Sequence, residues 1–391
     1  MSKDYIPLKD SSVKKPIDMN VYEAAKFRIK RCIKLFDNVV VSFSGGKDSL
    51  AVLNLVEECY KELGIKDKIN VQFRDEEIIP PAVVDFVDKM YRSGKYNFLY
   101  FAYPMKSNKF LMGKTYEYVQ WDKDRKWVRQ PPEYAIMLDD EDYYVYDQYN
   151  FQYVLAKYFK GTICDMNGMR ASESLNRLRS CLAKPKDTYL NQSPVPRIMA
   201  CKPIYDWDEY DIFLYFYKNN IEYCKQYNNQ MWNREDLRVA TPLHAEAAKS
   251  FLKLKSQDPN YYNAIMEVFP EMEIQTRYWK DYDSKKIMDK YPHTFRGLMK
   301  AIDEELGNDP MGELAKSRFT TAFKTRRNKI AKNPADYLGS YPLYYLFNVL
   351  FTGGFKRGIP HEMVYTLDDF LFEGYSERDY EKYVENGNKL I

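Results

Sequence analysis

Three groups of residues in the 391-residue chain have types and spacings suited to chemistry. The first is Ser44-Gly45-Gly46-Lys47-Asp48-Ser49, two residues after Ser42. A glycine pair lets a backbone approach a ligand closely, amides at a helix start converge on one point, and a lysine adds positive charge. Such a loop suits an anion, phosphate above all. The common P-loop, G-x-x-x-x-G-K-[ST], does not fit, because Val41 stands where its first glycine belongs and Asp48 follows the lysine.

The second group is Arg170, Glu173 and Arg177. At helical spacing two guanidiniums share one face with a carboxylate between them, an arrangement that suits phosphate or sulfate. The same spacing also fits an exposed Glu173–Arg177 helix pair worth about a few tenths of a kcal/mol. The third group is the six cysteines, at 32, 59, 164, 181, 201 and 224, which form no close pair and no metal-type spacing. They suit reduced thiols, with Cys164, Cys181 and Cys201 as small core residues. The histidines at 244, 293 and 361 are scattered and suggest neither a metal site nor a base.

The elements that must position these residues are legible in the pattern. Residues 21–36 read as a helix leading into Val39, Val40 and Val41, a β-branched run suited to a strand buried on both faces. Leu50, Leu53, Val56, Tyr60 and Leu63 then recur at helical spacing up to Gly64. A second strand ends in acids at 75–77, a helix begins at the prolines 80 and 81, and a third strand follows at 95–104. The alternation predicts an α/β, doubly wound and mostly parallel sheet. Residues 104–149 read as an irregular insertion, and from about 260 on the patterns are helical. The expected division is a leading extension at 1–37, a nucleotide-binding domain at 38–243 and a helical C-terminal domain at 244–391.

Composition narrows little. A net charge of +3 names no partner. No window approaches a membrane span and the N-terminus lacks the apolar core of a signal peptide, so a cytoplasmic protein is expected.

The Ser44–Ser49 sequence resembles the SGGKDS pyrophosphate loop of the N-type ATP pyrophosphatases. Three further segments narrow the resemblance to their phosphoadenosine phosphosulfate (PAPS) reductase branch. Residues 73–87, FRDEEIIPPAVVDFV, are similar to its second strand and helix. GMRASESLNRLRS at 168–180 is similar to its G-[IV]-R-A-x-E-S-x-x-R motif, and residues 202–223, opening KPIYDWDEYDI, to its P-[IL]-x-D-W-x-x-x-D-[IV] signature. The resemblance implies an adenine nucleotide alpha hydrolase-like fold that binds ATP, adenylyl sulfate or PAPS across the strand ends. It places Ser42, Ser44, Gly45, Gly46, Lys47, Asp48, Ser49, Asp75, Glu76, Arg170, Glu173 and Arg177 around the nucleotide. Lys47, Asp48 and Arg170 would be catalytic, and Asp48 with Asp75 or Glu76 would hold Mg2+. Asp206 and Trp207 would brace the fold.

A reductase of this family should carry a cysteine in a mobile C-terminal tail or paired cysteines for an iron–sulfur cluster. This chain has neither, and no iron–sulfur cluster is expected. The C-terminal third is similar to a bacterial and phage subgroup with an added helical domain and a ParB-like partner. Residues 316–332 hold seven basic residues and no acid, a pattern that fits nucleic acid but is more simply a solvated helix face. Three activities follow in order of preference: ATP-dependent adenylyl transfer with release of pyrophosphate, sulfonucleotide reduction or sulfur transfer through an internal or partner thiol, and nucleotide sensing without turnover.

Overall fold

The structure, a computed structural model, describes residues 18–112, 114–173, 175–181, 188–235, 237–278, 290–292, 294–307, 310–332, 343–351, 355, 359, 367–372 and 375–385. Helix α1 spans Val21–Leu35 and opens with a reciprocal cap: the Asn20 side chain accepts from the Glu23 amide and the Glu23 carboxylate accepts from the Asn20 amide. Strand β1 (Asn38–Ser42) passes through a four-residue turn into α2 (Lys47–Glu62), and β2 (Asn70–Arg74) leads to α3 (Pro81–Arg92) and β3 (Asn97–Phe101). Pro81 starts α3 as the motif required, since its missing N–H would find no partner in the first turn.

Beyond the insertion come α4 (Gln152–Tyr158), β6 (Ile163–Met166), α5 (Leu175–Cys181), β7 (Leu190–Gln192), β8 (Ile198–Cys201), α6 (Glu209–Asn219) and α7 (Gln226–Trp232), once β4 (Met105–Leu111) and β5 (Lys114–Gln120) are counted within it. Among the described residues the main sheet runs β3-β2-β1-β6-β8-β7. All its pairs are parallel except β7 with β8. The expected doubly wound sheet is therefore present, with one antiparallel edge strand added.

Val39, Val41, Val71, Phe73, Cys164 and Met166 face the larger core under α1, α2 and α3, where Leu50, Leu53 and Val56 supply one stripe of α2. Val40 and Ile163 face the other side against Leu155 of α4. Burial on both faces is why β1 reads as an unbroken apolar run. Arg28 of α1 grips both oxygens of Asp206 at 2.7 Å and the Pro203 carbonyl at 2.8 Å, while the Trp207 indole donates to the Val21 carbonyl. Asp206 and Trp207 thus tie α1 to the turn after β8.

The insertion is more regular than its sequence suggests. It contains the separate two-stranded β4-β5 sheet, in which burial alternates along β4. Polar residues on the open face, Lys106 and Asn108 among them, break the apolar run that marks a buried strand, and only the period of two betrays it.

The described chain forms two compact units, one of residues 18–109 and 116–276 and the other including 110–115 and the residues from 277 on. Helices α8 (Ala248–Gln257) and α9 (Pro259–Val268) lie wholly in the sheet-bearing unit, beyond the border expected at 243. Their segment is fastened there by Lys126 with Glu267, Lys109 with Glu271, and Tyr118 packed edge-on against Phe269.

The second unit has its own core of Leu298, Ala301, Ile302, Ala315, Phe319, Leu346, Phe347 and Leu350. The basic stretch 316–332 lies on its helix Pro310–Lys332. Lys316 is paired with Asp303 and Glu313 and Arg318 donates to the Phe355 carbonyl, so two of the basic groups are structural. The side chains of 325–332 lie outside the described residues. No helix among the described residues is long and apolar enough to cross a membrane.

Candidate functional site

The end of β1 builds a tight loop. Gly45 takes φ +72°, a backbone that side chains rarely adopt, and a Cβ there would meet Val83 Cγ1 of α3 at 2.7 Å. Ser49 turns back on the loop: its hydroxyl accepts from the Ser44 amide at 3.1 Å, lies 3.0 Å from the Ser44 hydroxyl and donates to the Gly46 carbonyl. Ser44 Oγ in turn accepts from the Gly46 amide at 3.3 Å. The two serines therefore shape the loop rather than cap it from outside.

The loop delivers Lys47 and Asp48 to the first turn of α2, where the positive end of the helix dipole lies. Lys47 is only 3% exposed, so its ammonium must be fully paired. It donates to the Leu237 carbonyl at 2.9 Å and to Asp48 Oδ2 at 3.1 Å, with Glu209 Oε1 at 3.3 Å. The amide of Lys47 donates to the Tyr227 hydroxyl at 2.8 Å. Tyr227 and the segment at 237–239 thus lie over the loop, with Val239 packed against Gly46. Burial pushes the Tyr227 phenol upward, which keeps it neutral here.

The second group arrives from β6. Gly168 packs so closely that a Cβ would lie 2.5 Å from the Asp48 carbonyl carbon and 2.6 Å from the Ser49 nitrogen. That contact explains the glycine of the motif in physical terms: backbone must meet backbone there. It also lets Arg170 Nε reach Asp48 Oδ1 at 2.6 Å. Arg170 is buried, and its amide is held by Glu173, which pairs with Arg177 as well. Asp48 is thus clasped by two cations, Lys47 and Arg170, from two strand ends. Arg177 is exposed and lies on the outer side of Glu173. The exposed Glu173–Arg177 pair is present, while Arg170 turns inward to Asp48 instead of sharing one outward face with Arg177.

Ser42 is placed differently. Its hydroxyl donates to Asp165 Oδ1 at 2.6 Å, and Gln72 and Gln152 donate to the same carboxylate. This buried network crosses β1, β2 and β6 beneath the loop.

Asp75 and Asp48, expected to share Mg2+, are held by different arginines. Asp75 is 1% exposed and bonded to Arg129, the Tyr100 hydroxyl and the Glu77 amide. Burial pushes its carboxyl up, against the pull of Arg129. Glu76 stays half-buried, while Glu77 is fully buried at φ +61°. Both oxygens of Glu77 bind the Arg125 guanidinium, and they also accept from the amides of Trp121 and Val128. Arg125, Arg129 and Trp121 come from the insertion, so this region is fastened to the end of β2 by two buried ion pairs. A metal site built from Asp48 and Asp75 does not fit this arrangement. Among the described residues the group of three potential ligands that converges is Cys32, Cys164 and Cys201, with sulfurs within 4.8 Å of one another.

All six cysteines are buried and none is in a disulfide. Burial, then the neighbouring Cys164 and Cys32, push the Cys201 thiol well above its usual value, and burial raises Cys59 to about 11. Thiol chemistry needs the thiolate. Ellman's reagent is accordingly expected to label less than one thiol per native chain within minutes and all six after denaturation. Rapid native labelling of Cys164, Cys181 or Cys201 would move the thiol-dependent activity ahead of adenylyl transfer.

The phosphoadenosine phosphosulfate reductase domain model matches residues 38–234. The uncharacterized protein YbdN of Escherichia coli (strain K12) is 30% identical over 275 residues, which cover 65% of this chain and 66% of YbdN, just under two thirds of the relative's length. Among solved structures, Candida glabrata FMN adenylyltransferase in complex with FAD and inorganic pyrophosphate matches at 13% identity and TM-score 0.35, over 56% of this chain and 66% of its own. The phosphoadenylyl-sulfate reductase of Candida auris, a phosphate complex, matches at 13% identity and TM-score 0.33, over 56% and 88%.

Proposed function

The chain belongs to the phosphoadenosine phosphosulfate reductase family, and from that premise we propose that it binds ATP at the Ser44–Ser49 loop and transfers the adenylyl group to an acceptor, releasing pyrophosphate. The observation that carries the reading is the convergence of Lys47 and Arg170 on Asp48 at the start of α2, with Gly168 packed against the same turn.

Such a constellation offers charge neutralisation and positioning, which phosphoryl and adenylyl transfer chiefly require. An acceptor oxygen attacks the α-phosphorus, the bond to the β-phosphate oxygen breaks, and the charge that grows on the departing pyrophosphate falls to Lys47 and the loop amides. Arg170, held in place by Asp48 and Ser172, would face the α-phosphate or the acceptor. Asp48 then serves as the anchor for both cations, and no step here runs through a metal. The buried, raised thiols support this reading over reductive cleavage of a sulfonucleotide. The cytoplasmic setting and a ParB-like partner for the helical unit remain part of the proposal.

Nucleotide entry also has a conformational requirement. Tyr227 and the Leu237 carbonyl take the Lys47 amide and ammonium, so a phosphate must displace them.

The test is pyrophosphate release from ATP by the purified full chain, alone and with fractionated small-molecule extract. Release that depends on a fraction identifies an adenylylating enzyme and its acceptor. ATP binding without release in every fraction would favour the nucleotide-sensing activity, and binding of PAPS in preference to ATP would favour the sulfonucleotide one.

A further inference from the structure

Three cysteines that the proposed reaction leaves idle converge in the larger core. Cys164 of β6 and Cys201 of β8 lie on neighbouring parallel strands, where the register pairs Cys164 with Met199 and makes Cys201 its diagonal neighbour on the same face. Cys32 of α1 packs over them, with its sulfur 3.7 Å from that of Cys201. All three sulfurs lie within 4.8 Å of one another, and each residue is 0% exposed. With ion–sulfur bonds of about 2.3 Å, three sulfurs around one ion stand at most about 4.0 Å apart, so the cluster is close to ligand spacing. Cys59 and Cys224, by contrast, donate singly to the backbone carbonyls of Lys26 and Ala82.

The donor set limits the guest, because sulfur selects soft ions. A structural zinc site or an iron–sulfur cluster takes four ligands, and among the described residues no fourth joins these three. Charge limits it further. Arg28, one turn before Cys32, is paired with Asp206; Asp165, next to Cys164, accepts from Ser42, Gln72 and Gln152; Lys202, next to Cys201, donates to the Ser180 carbonyl. These charges are engaged, so an ion that left the sulfurs with a net charge would stand uncompensated in an apolar core. Three thiolates are neutralised only by a trivalent ion.

We propose that Cys32, Cys164 and Cys201 form a closed three-thiolate site for a soft trivalent ion, trivalent arsenic taken up as As(OH)3. Each thiol passes its proton to one hydroxyl, three As–S bonds replace three As–O bonds, and three waters leave. Arsenic and sulfur keep their oxidation states, and the product is neutral. Cu(I) on three thiolates would carry two negative charges and Zn2+ one. Burial, then Cys164 and Cys32, hold the Cys201 thiol protonated, which is the form that the exchange consumes. As(OH)3 is itself uncharged at neutral pH, so no hydrated ion has to enter the core. Access waits on local opening of α1 from the sheet, which makes uptake slow. The site stands whether or not the chain transfers adenylyl groups.

The experiment incubates the full chain overnight with sodium arsenite and a phosphine reductant and removes unbound arsenic by gel filtration. Elemental analysis then counts arsenic per chain, and arsenic X-ray absorption identifies its neighbours. One arsenic per chain with three sulfur neighbours and no oxygen is expected. Cys164→Ala and Cys201→Ala should each lower retention tenfold or more, whereas Cys59→Ala and Cys224→Ala should leave it at one. Circular dichroism checks that each variant is folded, and the wild-type absorption spectrum decides the coordination even where a variant is not. No retained arsenic, an oxygen neighbour, full retention by Cys164→Ala, or an equal loss with Cys59→Ala would each overturn the proposal. So would a competition in which Zn2+ or Cu(I) displaces the arsenic.

Discussion

Lys47→Ala is expected to slow pyrophosphate release by about two to three powers of ten, the loss of about 2.7–4 kcal/mol that removal of one preorganised charge-stabilising donor produces. The size follows from burial. A lysine at the surface is screened by water, whereas Lys47 is 3% exposed, and its ammonium already lies among oxygen acceptors 2.9 to 3.3 Å away. A departing pyrophosphate would take the place of the Leu237 carbonyl and gain charge as the bond breaks, so the interaction strengthens on the way to the transition state. The loss should therefore fall on kcat more than on the dissociation constant for ATP.

The fold should survive the change, because Asp48 keeps Arg170 at 2.6 Å and is not left as an unpaired buried charge. Single-turnover release and an ATP titration on the same preparation separate these effects. A release rate within threefold of the wild type would remove Lys47 from the leaving-group role. A loss confined to ATP affinity would make it a ground-state anchor instead.

Much of this site was legible because its parts are local. A strand, a glycine pair, a lysine and a helix start lie within a dozen residues, and Gly168 stands two residues from Arg170. The family motifs then brought the two segments together, as the parallel pairing of β1 with β6 does in the structure. What remained illegible is set by contacts that span the chain. Tyr227 reaches Lys47 across 180 residues and the Leu237 carbonyl across 190, and neither carries a local signature, least of all a backbone oxygen that any residue supplies.

The acids after β2 show the same limit more sharply. Asp75 and Glu76 were the natural candidates for a metal, yet the inward pair is Asp75 and Glu77. Glu77 turns inward through a left-handed backbone where no glycine announces it, and its partner Arg125 lies in an insertion whose alternation was too polar to read as strand. The cysteines were equally opaque: spacings of 132 and 37 residues hide three sulfurs that the packing of α1 on β6 and β8 brings within 4.8 Å.

Glu77→Ala is expected to destabilise the sheet-bearing unit by about 3–5 kcal/mol, the cost of breaking a buried ion pair from one side. Glu77 is fully buried and its two oxygens answer four donors, two on Arg125 and the amides of Trp121 and Val128. Alanine would strand a guanidinium whose Nε already lacks a partner. Glutamate and alanine meet the same penalty at φ +61°, so the backbone contribution cancels between them. Glycine does not meet it. Glu77→Gly should therefore be less damaging than Glu77→Ala by about 1 kcal/mol, even though it removes one more carbon.

A double-mutant cycle completes the argument. Replacing Arg125 alone with methionine leaves the carboxylate buried with only its two amides, whereas Glu77→Leu with Arg125→Met removes both charges and should cost less than either single charge deletion. Urea midpoints, with constant slopes to confirm two-state behaviour, give all the terms. If the single variants unfold at the wild-type midpoint, the pair adds nothing to stability and the insertion is held by Asp75 with Arg129 and by the packing of Trp121. If they unfold early while the double variant does not, the pair adds little net stability and the cost of each single variant is the charge it leaves buried alone.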